Sequence, residues 1–153
     1  VDPPMPVITL GSCWVFHDSG CKEVKMSECL GIRGATTADS NSEDAILDAT
    51  EDLLREMVVK NSLKEESIAA IFFTTTTDLN AAFPAVAARV RLGGEQTALI
   101  SSHEIPVPKG TPSVIRVLLL ANTDLSKDQI INVYKKGAQN LRTPNISSSD
   151  KIQ

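Results

Sequence analysis

The stretch SVIRVLLLANTD, residues 113–124, decides the fold. Val114, Ile115, Val117, Leu118, Leu119, Leu120 and Ala121 surround Arg116. Side chains alternate between the two faces of a strand, so both faces of this segment are apolar, which predicts a strand covered on both sides. Arg116 is then left without a solvent side. A guanidinium cannot shed its proton to escape a dry site, so burying it demands an anion, supplied either by the protein or by a ligand.

The segments around it predict the rest of one domain. GIRGATT (31–37) reads as the end of a strand, with Gly31 and Gly34 flanking Arg33 and permitting close backbone approach. Ser40 and Glu43 have capping-box spacing, and Ile46, Leu47, Leu53, Leu54, Met57 and Val58 recur at helical intervals up to about Asn61. SIAAIFFTTTT (67–77) is β-branched and aromatic, hence a strand. FPAVAARVRLGG (83–94) opens on Pro84 and closes on a glycine pair, as a short helix does. TALISSHEI (97–105) and SVIRVLLLAN (113–122) are two further strands joined by a Pro- and Gly-containing loop. Ser126 and Gln129 repeat the capping spacing and predict a last helix through Ile130, Ile131, Val133 and Tyr134 to about Asn140. The expected order is βαβαββα, an α+β fold with a mixed β-sheet and helices packed on one face.

Residues 1–30 differ from this pattern. They hold Cys13, Cys21 and Cys29, the single tryptophan Trp14 and no sustained periodicity, and read as an N-terminal extension whose origin the residues leave open; Met26 is a candidate start for the domain proper. Residues 31–142 form the expected domain, and the polar segment 143–153 is expected to be a flexible tail.

Composition narrows the function. With 153 residues and 42% hydrophobic content the chain has the size of one globular domain. A net charge of −4 without basic runs, and only 4% aromatic residues, argue against nucleic-acid binding. No apolar run approaches the ~20 residues that span a bilayer, so no membrane partner is expected. An odd set of three cysteines does not look like a disulfide framework, and a reducing cytoplasm is the default expectation.

Several polar residues fall where neither a plain core nor a plain surface requires them. Glu104 ends a strand beside His103, Arg33 sits between glycines, Arg89 lies on the short helix after Phe83 and Pro84, and Tyr134 and Arg142 lie near the end. Singly, each has an ordinary explanation: Arg116 paired with Glu104 as a structural bridge, Arg89 and Arg142 solvated, Tyr134 half-buried with its hydroxyl in water. Together they suit a small molecule carrying carboxylates and a hydroxyl, held by forked hydrogen bonds. No nucleophile with a paired base, no phosphate loop and no metal-ligand spacing is present in the core; Cys13, His17 and Cys21 would share a face of a helix but match no recognised ligand spacing. Any catalysis would be electrostatic and conformational rather than covalent.

GIRGATT, TTTTDLNAAFPAVAAR, HEIPV, IRVLLLANTD, DQIINVY and the closing LR resemble, in order and spacing from Gly31 to Arg142, the monofunctional AroH-type chorismate mutases. The resemblance implies a homotrimer forming a pseudo-α/β-barrel, with active sites between adjacent subunits, and a cofactor-free Claisen rearrangement of chorismate to prephenate in phenylalanine and tyrosine biosynthesis. Carried over by position, Arg116 would face the ether oxygen of the breaking bond, Arg33 and Tyr134 would hold the enolpyruvyl carboxylate, and Glu104 would accept from the ring hydroxyl. Phe83 and Leu141 would supply apolar wall, with Arg89 and Arg142 at the rim. The segment from Phe83 to Arg89 would come from one subunit and most other site residues from its neighbour. The sequence departs from the family pattern at Ser101, often Cys, which can still donate near the substrate hydroxyl, and at Val86, often Lys, where a rim cation is lost. In the family the segment equivalent to the tail is a mobile lid. Two other readings keep the fold: a YjgF/RidA-type enamine or imine deaminase, and a non-catalytic ligand-binding trimer.

Overall fold

A computed structural model describes residues 27–91, 93 and 96–142, with the side chain of Arg142 excluded. Five strands form one sheet: β1 (Glu28–Thr37), β2 (Ile68–Thr75), β3 (Ala98–His103), β4 (Val114–Thr123) and β5 (Val133–Tyr134), in the order β3-β2-β4-β1-β5. β4 is central and runs antiparallel to both β1 and β2, while β3 is parallel to β2 and β5 parallel to β1. The sheet is thus mixed, as expected. β1 begins at Glu28, three residues ahead of Gly31, because Glu28, Cys29 and Leu30 continue the ladder opposite Thr123, Asn122 and Ala121. The remainder of the expected extension, residues 1–26, and the expected tail, 143–153, lie outside the described residues, as do Cys13, His17 and Cys21.

One long helix, α1 (Glu43–Lys60), covers one face of the sheet. Its cap is Ser42 rather than Ser40: the Ser42 hydroxyl accepts from the Ala45 N–H at 3.3 Å, and Ser40 hydrogen-bonds to the Ser42 hydroxyl. Glu43 and Asp44 in the first turn and Lys60 in the last complement the helix dipole. The apolar stripe of α1, Leu53, Leu54 and Met57, packs with Ile32, Ile71, Phe73, Val117 and Leu119 in the main core. Ile46 and Ala49, nearer its start, pack with Ala38, Leu79 and Ile115.

Because helical cover lies on that face, the reading of β4 as covered on both sides is corrected. Ile115, Val117, Leu119 and Ala121 are buried, whereas Arg116 and Leu118 between them are exposed. The open face carries a row of apolar side chains across three strands: Ile100 on β3 is level with Phe72 on β2, and Phe72 with Leu118 on β4. These three are 56%, 41% and 40% exposed, respectively, an apolar strip that the single chain leaves in water.

The last helix expected from Ser126 to Asn140 does not form. Ser126 and Gln129 do close a turn, with the Ser126 N–H and hydroxyl both donating to Gln129 Oε1 at 2.9 and 3.0 Å. It goes no further because the next backbone groups are taken. Asn61, at the end of α1, accepts from the Ile131 N–H at 2.8 Å and donates to the Ile131 carbonyl at 2.9 Å. Val133 and Tyr134 then join the edge of β1, and Lys136 turns with a φ of 47° into a 3₁₀ segment, Lys136–Arg142. The β-branched residues around position 131 serve a strand as well as they would a helix. Segment 83–94 also shortens. Pro84 accepts from the Ala87 N–H, opening a wide helical turn, Ala87–Arg91, and Gly93 has the left-handed φ of 75° that favours glycine.

Candidate active site

Arg33 and Arg116 reach one cleft because β1 and β4 are neighbours. Ala35 is paired with Arg116 and Arg33 with Leu118, so both arginines emerge on the open face one step apart along the strands. Tyr134 joins them through the pairing of β5, where it lies beside Ala35. Together with Leu141 from the terminal 3₁₀ segment and Phe72, Thr74 and Leu118 from the sheet, they line a cleft of about 430 Å³. Asn132 fixes the strand beneath Arg33 by accepting from its backbone N–H at 2.8 Å. Lys135, next to Tyr134, ties β5 to α1 through Asp52 and Glu56, each at 2.6 Å. Burial alone depresses the Lys135 ammonium, but the hydrogen bonds to those two carboxylates outweigh it and leave its pKa above the ordinary lysine value.

Arg116 does have an anion within the chain. Its Nε lies 2.7 Å from Glu104 Oε1, and the Arg116 side chain is 47% exposed against 19% for Glu104. The expectation of a fully buried arginine is therefore corrected: the strand face it occupies is not covered by a helix. The intramolecular bridge considered from sequence is present, with Nε in contact with Glu104. Among the described residues Arg116 has no ion-pair partner besides Glu104 and Arg33 has none, which leaves the guanidinium of Arg33 open to a ligand. Glu104 is itself held by the Thr74 hydroxyl, which donates to the same Oε1 at 2.7 Å, and by its own backbone N–H, which extends the β2–β3 ladder to the Thr75 carbonyl at 2.8 Å.

The other expected residues lie elsewhere on the chain. Phe83, 71% exposed, and Ser101 line a second cleft of about 310 Å³ with Leu79, Pro84, Ser102 and His103. This cleft shares no lining residue with the first. Within β3, Ser101 pairs with Phe73, on the face toward the helix, and Ser102 with Thr74 on the open face, so this cleft wraps the end of the strand and takes lining from both of its faces. The Ser101 hydroxyl is buried and has no hydrogen-bond partner among the described residues, which marks it as a group awaiting one. Arg89 is exposed on the wide turn after Phe83 and lines neither cleft. Arg142 ends the 3₁₀ segment, and its side chain is outside the described residues.

Sequence reasoning passed over Thr74, Phe72 and Leu118 as site residues and gave His103 no chemistry. Thr74 was detectable only through register, being paired with Arg116 across β2 and β4. His103 Nδ1 lies 3.1 Å from the Thr75 hydroxyl, which also donates to the Leu79 carbonyl. No group of three or more His, Cys, Asp or Glu placed to hold a metal occurs among the described residues. No helix among them is long and apolar enough to cross a membrane.

Two guanidinium groups and a phenol lining a cleft with apolar walls, with the Glu104 carboxylate against one of the guanidinium groups from the adjoining pocket, define a protein suited to a small organic anion. Comparison with known proteins gives that class a family. Residues 29–145 match the model of chorismate mutase type I. The chain is 45% identical over 120 residues to chorismate mutase AroH of Thermus thermophilus, spanning 78% of this chain and 97% of that protein. It is 37% identical over 117 residues to chorismate mutase AroH of Bacillus subtilis strain 168, spanning 76% and 91%. Among solved structures, a chorismate mutase from Clostridium thermocellum superposes with a TM-score of 0.70 at 49% identity, covering 71% of this chain and 96% of that one. The chain belongs to the type I chorismate mutase family, and its activity is that of an isomerase, chorismate mutase.

Proposed function

We propose that this chain converts chorismate to prephenate by a Claisen rearrangement, in sites that each need two copies of the chain within a homotrimer. The observation that carries the reading is the convergence of Arg33, Arg116 and Tyr134 on one cleft, with Glu104 held beside Arg116. The reaction is intramolecular: a carbon–oxygen bond breaks as a carbon–carbon bond forms, with no proton or group passed to the protein. What a protein can add is geometry and charge.

Arg33 and Tyr134 hold the enolpyruvyl carboxylate, keeping the side chain folded over the ring in the compact reactive geometry. The guanidinium of Arg116 faces the ether oxygen, where negative charge grows as the bond breaks. A fixed cation there is favoured more by the transition state than by the substrate, which raises the rate rather than only the affinity. Glu104 accepts from the ring hydroxyl, Ser101 donates near it, and Phe83 and Leu141 supply apolar wall. Arg89 and Arg142 steer the ring carboxylate from the rim.

The assembly is part of the proposal. Phe83 and Ser101 line a cleft separate from Arg33 and Arg116 within one chain, and the exposed row Ile100, Phe72 and Leu118 offers a surface for a neighbouring copy to cover. The compartment is proposed to be the cytoplasm, which suits the exposed free Cys29. The test is loss of chorismate absorbance, with prephenate confirmed by its acid conversion to phenylpyruvate. Arg116→Ala is then unfolded, mixed with equal Phe83→Ala/Arg89→Ala and refolded. If sites are shared between copies, about a quarter of them pair two intact halves, and activity returns to roughly that fraction. Chorismate turnover without complementation would place each site within one chain, and absence of turnover would send the function to imine hydrolysis or ligand binding.

A further inference from the structure

From the hydrogen bond and the ion pair around Glu104, we infer that Thr74 is a positioning residue for the reaction, acting through Glu104 to set which nitrogens of Arg116 face the substrate. The inference rests on the proposed roles of Arg116 and Glu104. Glu104 Oε1 has two close partners at equal distance: the Thr74 hydroxyl donates to it at 2.7 Å, and Arg116 Nε forms an ion pair with it at 2.7 Å. The three side chains converge because Thr74 and Arg116 are paired residues of β2 and β4, while Glu104 follows the end of β3, two residues after Ser102, which is paired with Thr74.

The consequence lies in how a carboxylate can grip a guanidinium. Left to itself, it takes a forked, two-point hold, because two parallel N–H···O bonds are stronger than one. Such a hold on Arg116 would occupy a terminal nitrogen and neutralise the edge meant for the substrate. The Thr74 hydroxyl ties down Oε1 from the other side. Arg116 then meets that oxygen through Nε, which turns its terminal nitrogens toward the substrate and leaves Oε2 to accept from a substrate hydroxyl. A β-branched residue suits the task, since its χ1 is restricted on a strand and the hydroxyl is presented in a fixed direction. Thr74 is only partly exposed, so water competes weakly for the bond.

Thr74→Val keeps the shape and removes the donor. The expected result is a fall of about tenfold in kcat, with KM changed less than about twofold, because the lost bond is one to a charged group and the effect falls on the transition state. Thr74→Ser retains the hydroxyl and should recover most of the rate. In a Glu104→Gln background, Thr74→Val should have little further effect. Circular dichroism and sedimentation of each variant monitor folding and assembly, and Thr74→Ser keeps the test alive if the valine variant misfolds. A full-rate Thr74→Val beside a slow Glu104→Gln overturns the inference, as does an equal valine effect in both backgrounds or a serine variant as slow as the valine one. If Glu104→Gln itself keeps the parental kcat, the proposed role of Glu104 fails, and the inference with it.

Discussion

Gly34 lies on β1 beneath α1 and next to Arg33, where a single methyl group probes how tightly the helix sits on the sheet. A Cβ built at this position overlaps Met57 Sδ and comes within 3.2 Å of both Met57 Cε and Leu53 Cδ1. Ordinary carbon contacts lie at about 3.5–4.0 Å. Leu53 and Met57 are fully buried, so relief requires Met57 to leave its rotamer or α1 to lift from the sheet. A displaced rotamer costs about 0.5–1.5 kcal/mol and overpacking of a filled core about 1–3 kcal/mol. The flexible thioether moderates the strain, and Gly34→Ala should destabilise by about 2 kcal/mol. The assay is the urea midpoint at fixed protein concentration, because association contributes to apparent stability. Met57→Ala alone leaves a cavity and should cost about 2–5 kcal/mol. In the double variant the new methyl enters the vacated space, so the two losses should fall short of additivity by about 1–2 kcal/mol. A wild-type midpoint for Gly34→Ala, or two losses that add, would show that the contact between β1 and α1 is looser than this packing implies.

Asp78 secures the return of the loop into β4 by accepting from the Ser113 N–H at 2.8 Å and hydroxyl at 2.9 Å. Hydrogen bonding from Thr76, and less so from Ser113, outweighs the opposing effect of burial and holds its carboxyl below the usual range. Its folded pKa being depressed, the stabilisation is full above the unfolded value near 4 and is lost as pH falls through the folded value. Asp78→Ala should therefore cost about 1 kcal/mol or less at pH 7, given its exposure, and the gap to the parent should close on acidification below about pH 4; denaturation midpoints across pH check this. Removing residues 1–25 should leave kcat and KM for chorismate nearly unchanged, and an inactive truncated protein would assign that segment a catalytic or assembly role.

The legibility of the fold depends on how each element is specified. β1, β2, β3 and α1 could be read because their residue types and apolar period are local signals, and the cap of α1, Ser42, lies two residues from the expected Ser40. Segment 126–140 could not, because its outcome depends on Asn61 and on a free edge of β1, both distant in sequence. The exposure of Arg116 was misjudged for a similar reason. Apolar residues on both faces of β4 do not reveal that α1 covers only one, nor that Leu118 and Phe72 remain open in the single chain. Arg33, Arg116 and Tyr134 were recognisable as odd residues whose chemistry agreed, and the sheet brings all three to one cleft. Phe83 and Ser101 share the second cleft, a division no linear pattern could disclose. Thr74 escaped notice because a threonine in a threonine-rich strand is ordinary until its register opposite Arg116 is known.

The decisive measurement is kcat of Arg116→Ala at saturating chorismate, with the assembly state monitored by sedimentation. If the guanidinium stabilises charge on the ether oxygen, kcat falls by about 10²–10³ or more while the assembly is unchanged. A kcat within a few-fold of the parent, with only KM raised, would make Arg116 a binding residue; loss of assembly would make its pairing with Glu104 a structural bridge.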